Sequence, residues 1–296
     1  MRFVAALGVL LLLGADAHAE KIKVVASFSI LGDIVHQLAG EHAEVTVLVG
    51  PNGDAHTFDP SPADAAKLAG AALVVSNGLG LDGWLDRLAG SAGYAGPRLV
   101  ASEGVKTRTM IEGDGGTAKE ITDPHAWQDP RNGILYALNI TAALVKADPV
   151  NAGDYERHMQ AYGMTLGMLD KIIREKIAAI PLAKRRVITS HDAFGYFGAA
   201  YGVTFLSPEG LSTDQEASAG GVARLIDQIR REHIKAIFIE TMADPRLVQT
   251  IASETGVEMG GALYSDALSP PDGPAACYLC MFENNVPKLV AGMARN

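Results

Sequence analysis

PVNAGDYERHMQAYGMTLGMLDKIIREKIAAIP, residues 149–181, is the stretch on which the architecture turns. Apolar residues recur there at helical spacing from Asn151 to Ala179, with Pro149 just before and Pro181 just after, which predicts one helix near the upper length for a globular protein. A single stiff rod joining two bodies permits much less hinge motion than two or three flexible crossings would. On both sides of it, short β-branched runs alternate with amphipathic stretches, the pattern of parallel sheets flanked by helices. The preceding strands are Ile22 to Ala26, Glu44 to Val49, Leu73 to Ser76 and Arg98 to Ala101, with helices Leu31 to Ala39, Pro62 to Leu68, Gly83 to Leu88 and Gly133 to Lys146. The following strands are Arg186 to Thr189, Val203 to Leu206, Ala236 to Glu240 and Val257 to Gly260, with helices Ala193 to Tyr201, Gly221 to Glu232, Pro245 to Thr255 and Asn284 to Ala294. The reading is α/β: two similar lobes, residues 20–148 and 182–296, on a connecting helix at 149–181. Ser102 to Thr122, rich in Gly, Thr and charge, reads as a surface loop.

The first residues read as a secretory signal peptide, 1–19, with Arg2 as charged start, Phe3 to Leu13 as apolar stretch and Ala17-His18-Ala19 as cleavage site. That places the mature chain, from Glu20, in the periplasm. No second apolar run approaches ~20 residues, so no spanning helix is expected. No Cys stands at the cleavage site, so a lipid anchor is not expected, and a freely diffusing monomer is. The formal net charge of −9 argues against nucleic acid, which calls for clustered Lys and Arg.

The cysteines, Cys277 and Cys280, form a Cys-Tyr-Leu-Cys pair. In an oxidising compartment the simpler reading is a local structural disulfide. A redox-active pair is the alternative, which calls for the first Cys at a helix N-terminus, and the preceding Pro270, Pro271 and Pro274 allow a helix start there.

Open α/β sheets bind ligands beyond the carboxyl ends of their strands. Three residues follow such ends: His56 after the Glu44 to Val49 strand, His191 directly after Arg186 to Ser190, and Asp266 after the strand that starts at Val257. His125 lies in a turn bracketed by Pro124 and Pro130. Neutral imidazole gives one nitrogen to a borderline-soft cation while its other N–H is held by an acceptor, and a carboxylate adds charge neutralisation. Three His and one Asp make a near-tetrahedral set with no position left for a reacting water, which favours a carrier of metal over a hydrolase. His36 and His233 fall within expected helices, His42 in a loop, His158 in the rod, and His18 leaves with the leader; all read as ordinary polar residues. Glu240 is the competing acid ligand, and its simpler role is to cap the following helix.

Together these loops resemble the A-I cluster of ABC-importer solute-binding proteins specific for zinc and manganese. Asp-Ala-His-Thr-Phe-Asp-Pro (54–60), Asp-Pro-His-Ala-Trp-Gln-Asp-Pro (123–130), Ser-His-Asp-Ala-Phe-Gly-Tyr-Phe (190–197) and Tyr-Ser-Asp-Ala-Leu-Ser (264–269) resemble the cluster's four ligand motifs in order. The resemblance implies Rossmann-like lobes with parallel four-stranded sheets, one long helix between them, one metal in the cleft, and an ABC-importer permease as partner. At the third ligand position, relatives that resemble manganese receptors tend to have Glu; His191 gives a nitrogen-rich site and favours Zn²⁺ over Mn²⁺. Two features depart from the pattern: Ala55 stands where a Pro usually precedes the first ligand, and residues 102–122 hold no His, where many zinc receptors have a His-rich insertion. That loop is left as a contact for a metallochaperone or the permease. The rival readings are a manganese receptor, a zinc-dependent periplasmic hydrolase, a thiol oxidoreductase built on Cys277 and Cys280, and an adhesin.

Overall fold

A computed structural model of the protein describes residues 20–112, 118–208, 210 and 218–296. The expected leader at 1–19 and residues 113–117 of the expected loop lie outside these. Strands β1 (Ile22–Phe28), β2 (Ala43–Val49), β3 (Leu73–Ser76) and β4 (Arg98–Val100) form a parallel sheet of order β2-β1-β3-β4. A hairpin of β5 (Thr109–Glu112) and β6 (Lys119–Thr122) follows. Strands β7 (Arg186–Ile188), β8 (Thr204–Leu206), β9 (Ile237–Glu240) and β10 (Met259–Leu263) then form a second parallel sheet of order β10-β9-β7-β8. Counted from its own first strand, each sheet has the same order. The chain leaves the first strand to one side and returns to the other, so a crevice opens at the carboxyl ends beside β1 and β7.

The helices are α1 (Ser29–Ala39), α2 (Pro62–Leu68), α3 (Trp84–Ser91), α4 (Pro130–Ala147), α5 (Ala152–Ala178), α6 (Gly195–Tyr201), α7 (Ala219–Glu232), α8 (Arg246–Thr255) and α9 (Tyr278–Arg295). Local chemistry sets several of their starts. At α2, Ser61 and Asp64 cap each other's backbone reciprocally and Pro62 supplies a preset first turn. α4 begins at Pro130, earlier than the expected Gly133, because the Asp129 carboxylate accepts the Arg131 N–H and Pro130 again opens the turn.

The rod α5 has 27 residues, a length of roughly 40 Å at the α-helical rise. It buries Tyr155, Tyr162, Leu166, Ile173 and Ile177 against α1, α4, α6 and α9, elements drawn from both lobes. A single apolar core accordingly runs through both lobes, from Phe28 and Trp127 to Phe197, Phe238 and Phe282. A separate cluster, including Ile188, Leu225, Ile229, Ile237 and Val248, seals α7 and α8 onto the other face of the second sheet. Hydrogen bonds also cross directly between lobes: Asn52 N–H donates to Leu268 O (3.0 Å), Leu268 N–H to Ser29 Oγ (2.9 Å), and Trp127 Nε1–H to Ser265 O (2.9 Å).

The structure departs from the sequence reading in further places. Residues 102–122 include the β5–β6 hairpin, whose Thr109↔Thr122 to Glu112↔Lys119 pairing is too short and polar to show an alternating pattern. α9 starts six residues before the expected Asn284 and carries Pro287 inside it; its cap is a Cys, which propensity does not flag. His233 is no helix-interior residue: it closes α7 in the left-handed conformation, φ 54°. β10 runs on to Leu263 through a register shift between Met259 and Ala262, where Gly261 takes φ +103°.

Candidate metal centre

The four expected donors, His56, His125, His191 and Asp266, converge, with one donor atom from each within 4.8 Å of all the others. His56 comes from the loop after β2, His191 from the exit of β7, Asp266 from the exit of β10, and His125 from the turn before α4. His191 Nε2 lies 2.9 Å and His56 Nε2 3.3 Å from Asp266 Oδ2, while His125 Nε2 lies 3.8 Å from Oδ1. The His125 and His56 Nε2 atoms are 3.2 Å apart. His125, His191 and Asp266 are fully buried, and the His56 side chain is 6% exposed, so the mouth of the site is at His56.

Two of the imidazoles are held by the same device. Asp123 Oδ1 accepts the His125 backbone N–H (3.0 Å) and sits 2.9 Å from its Nδ1. For His191, Glu240 Oε1 accepts the backbone N–H (3.0 Å) and Oε2 lies 2.9 Å from Nδ1. A carboxylate set behind Nδ1–H, as its acceptor, favours the tautomer whose Nε2 lone pair is aimed at the shared centre. Asp123 is itself fixed by Arg108, whose Nε stands 3.6 Å from Oδ2, and by Tyr196, whose hydroxyl donates to Asp123 O (3.2 Å).

Glu240 therefore neither joins the donor cluster nor caps α8, whose N-terminus has no side-chain cap; it orients His191. At the first loop Asp54 Oδ1 accepts the His56 N–H (2.8 Å), and the Ala55 carbonyl accepts Trp84 Nε1–H (3.0 Å). That indole fixes the position where the proline of the resembled motif is missing. The sequence carried a signal for two of these three acids: Asp stands two residues before His in both Asp54-Ala55-His56 and Asp123-Pro124-His125. Glu240 has no such signal, since it reaches His191 from a neighbouring strand.

Electrostatics couple the donors. Burial disfavours a charged His191, but Glu240 and Asp266 outweigh it and hold its pKa well above the imidazole range. Burial likewise disfavours a charged Asp266, and His191 and His125 outweigh it and hold that carboxyl well below its usual range. Even so, the two Asp266 oxygens, both ring nitrogens of His191 and Glu240 Oε2 are buried without a hydrogen bond, so the Glu240–His191 Nδ1 contact is an ion-pair contact. Buried polar atoms without partners are costly, and a group of them converging on one point is the arrangement a cation satisfies.

The other histidines among the described residues lie elsewhere. His42 Nε2 pairs with Asp154 Oδ2 (2.7 Å) from a 3₁₀ turn, His158 Nδ1 meets Leu38 O (2.9 Å), and His36 lies in α1. Cys277 and Cys280 are joined as a disulfide at the start of α9.

A family profile described as ZnuA, zinc-uptake complex component A, periplasmic, matches residues 24–292. The manganese-binding lipoprotein MntA of Halalkalibacterium halodurans is 32% identical over 282 residues, which cover 95% of this chain and 92% of that one. The iron-binding protein YfeA of Yersinia pestis is 32% identical over 277 residues, 94% of this chain and 88% of its own. Among solved structures, the periplasmic zinc binding protein TroA of Treponema pallidum superposes with a TM-score of 0.84 at 28% identity, over 93% of this chain and 100% of that one. Three different metals are thus named among relatives of similar closeness.

Proposed function

Because the chain belongs to the ZnuA family of metal-binding, ABC-transporter substrate-binding proteins, which are receptors and not enzymes, we propose that it captures Zn²⁺ in the periplasm with His56, His125, His191 and Asp266 and hands it to an ABC-importer permease. The lobes, residues 20–148 and 182–296, supply two donors each and the 149–181 rod keeps them in register. One observation carries the choice of ion: three Nε2 atoms and one carboxylate face a single buried point, a nitrogen-rich set that suits Zn²⁺ better than the oxygen-preferring Mn²⁺.

Capture involves no bond chemistry beyond exchange of ligands. The ion sheds water as the imidazole lone pairs and the Asp266 carboxylate replace it, and any proton on His191 must leave. Asp123 and Glu240 hold the rings so that little ordering remains at the moment of binding. Because His56 is at the mouth and the other three donors lie behind it, His56 meets the ion first and releases it last.

A manganese receptor is the second reading, favoured by the two Asp266 oxygens. Both face the donors, so a bidentate carboxylate and a higher coordination number are within reach. Competition of Zn²⁺ and Mn²⁺ for the metal-free protein, read by a chelator of known affinity for each, decides between them. Zinc is expected to displace manganese at equal free concentration, and His191→Glu is expected to narrow that preference. Equal retention of both ions by the native protein overturns the zinc assignment. A melting temperature unmoved by either ion overturns the receptor site itself, since a ligand bound only by the folded state must raise it.

A further inference from the structure

The metal centre makes no use of the sulfur pair at the start of α9, and the fold has little need of it as a staple. The bond joins residues only three apart in sequence, and cross-linking so short a loop removes little chain entropy. The same turn is already fixed without it. Met281 N–H donates to Cys277 O (2.9 Å) and Tyr278 N–H donates to Asp33 Oδ2 of α1 (2.8 Å). The Tyr278 ring is completely buried, its hydroxyl donates to Trp127 O, and it fills the space left by Gly133 of α4, where a Cβ would lie 2.7 Å from Oη.

The surroundings fit exchange chemistry instead. Cys277 is the N-cap of an 18-residue helix, and its Sγ accepts the Cys280 N–H (3.0 Å). A thiolate at that position keeps this hydrogen bond in charge-assisted form and lies at the positive end of the helix dipole. Both cysteines are half-buried, so an incoming sulfur has access while the flanking Tyr278 anchors the turn.

We propose that Cys277 and Cys280 form a reversible thiol–disulfide exchange site that takes electrons from a dithiol-bearing partner, with Cys277 as the sulfur attacked. The partner thiolate attacks Cys277 Sγ, the Cys277–Cys280 bond breaks, and its electron pair leaves on Cys280. The partner's second thiol, deprotonated, then attacks its own sulfur in the mixed disulfide and expels Cys277. Two electrons pass to the protein pair, the partner is left as a disulfide, and two protons convert Cys277 and Cys280 to thiols.

The site is tested on the folded mature protein in mixtures of reduced and oxidised dithiothreitol, with thiols counted by alkylation and mass. The pair is expected to reduce and re-oxidise reversibly with the fold retained and the melting temperature little changed. Oxidised glutathione is expected to add to Cys277 of a Cys280→Ser variant at least tenfold faster than to Cys280 of a Cys277→Ser variant. Reduction that occurs only on unfolding, or equal adduct rates at the two cysteines, overturns the exchange site. These variants leave the four metal donors intact, so either outcome stands apart from the test of the metal site.

Discussion

At the scale of single residues, the metal site depends as much on what stands behind the imidazoles as on the imidazoles. Asp123 hydrogen-bonds the backbone N–H and the Nδ1 of His125 together, and Glu240 accepts the backbone N–H of His191 with its other oxygen 2.9 Å from Nδ1. Glu240→Gln and Asp123→Asn are therefore expected to weaken Zn²⁺ binding by roughly 10–100-fold, as losses of such partners do, with the fold intact by circular dichroism; affinities within twofold of the native value contradict this. The coupled charges set the pH dependence. In the metal-free protein the raised pKa of His191 contributes stability that is complete below the ordinary imidazole value of ~6.5 and is lost as pH rises through the raised one. The depressed pKa of Asp266 contributes stability that is complete above ~3.9 and is lost as pH falls through the depressed value. A bound metal ion must displace the proton that Glu240 and Asp266 hold on His191. The gap in melting temperature between metal-loaded and chelated protein is accordingly expected to widen from about pH 6 to about pH 8, and a gap that narrows over that range contradicts the assignment. The four converging side chains were legible in the sequence because each lies at a strand exit or in a proline-bracketed turn. Glu240 was misread because its partner is set by the pairing of β7 with β9, a contact no local pattern encodes.

At the scale of elements, the rod α5 carries the argument. One side packs on helices from both lobes, and the other presents Met164, Met168 and Ile172 to solvent. Leu166, with no exposed surface, and Met168, 66% exposed, stand two residues apart on opposite sides. Leu166→Ala is expected to cost about 2–5 kcal/mol and Met168→Ala less than about 0.5 kcal/mol, read from the midpoints of urea unfolding. Equal effects would mean that the rod packs differently. The rod, α2 and β3 were readable from the sequence because periodicity and prolines act locally there. The start of α9 was not, since a Cys cap lacks the usual Ser, Thr, Asp or Asn signature and Pro287 argues for a later start. The β5–β6 pair was missed because a four-residue polar strand looks like a loop.

At the scale of the whole molecule, two sheets of identical order share one core and one rod, and hydrogen bonds stitch the rims of the crevice together. Large hinge opening would break the Asn52–Leu268, Leu268–Ser29 and Trp127–Ser265 bonds together. The backbone displacement on loading is therefore expected to be on the order of 1 Å or less, so solution scattering should give the same radius of gyration with and without metal; a swelling of several ångströms on chelation would show that the halves part. The rim bonds have a practical consequence. The protein has two tryptophans: the Trp84 indole donates to the carbonyl of Ala55, next to His56, and Trp127 donates to that of Ser265, next to Asp266, with its ring 5.3 Å from His125. Every indole is thus wired to the residue beside a donor, so ultraviolet emission from the unlabelled protein should track loading in real time, and replacing either tryptophan by Phe would tell which rim of the crevice responds first.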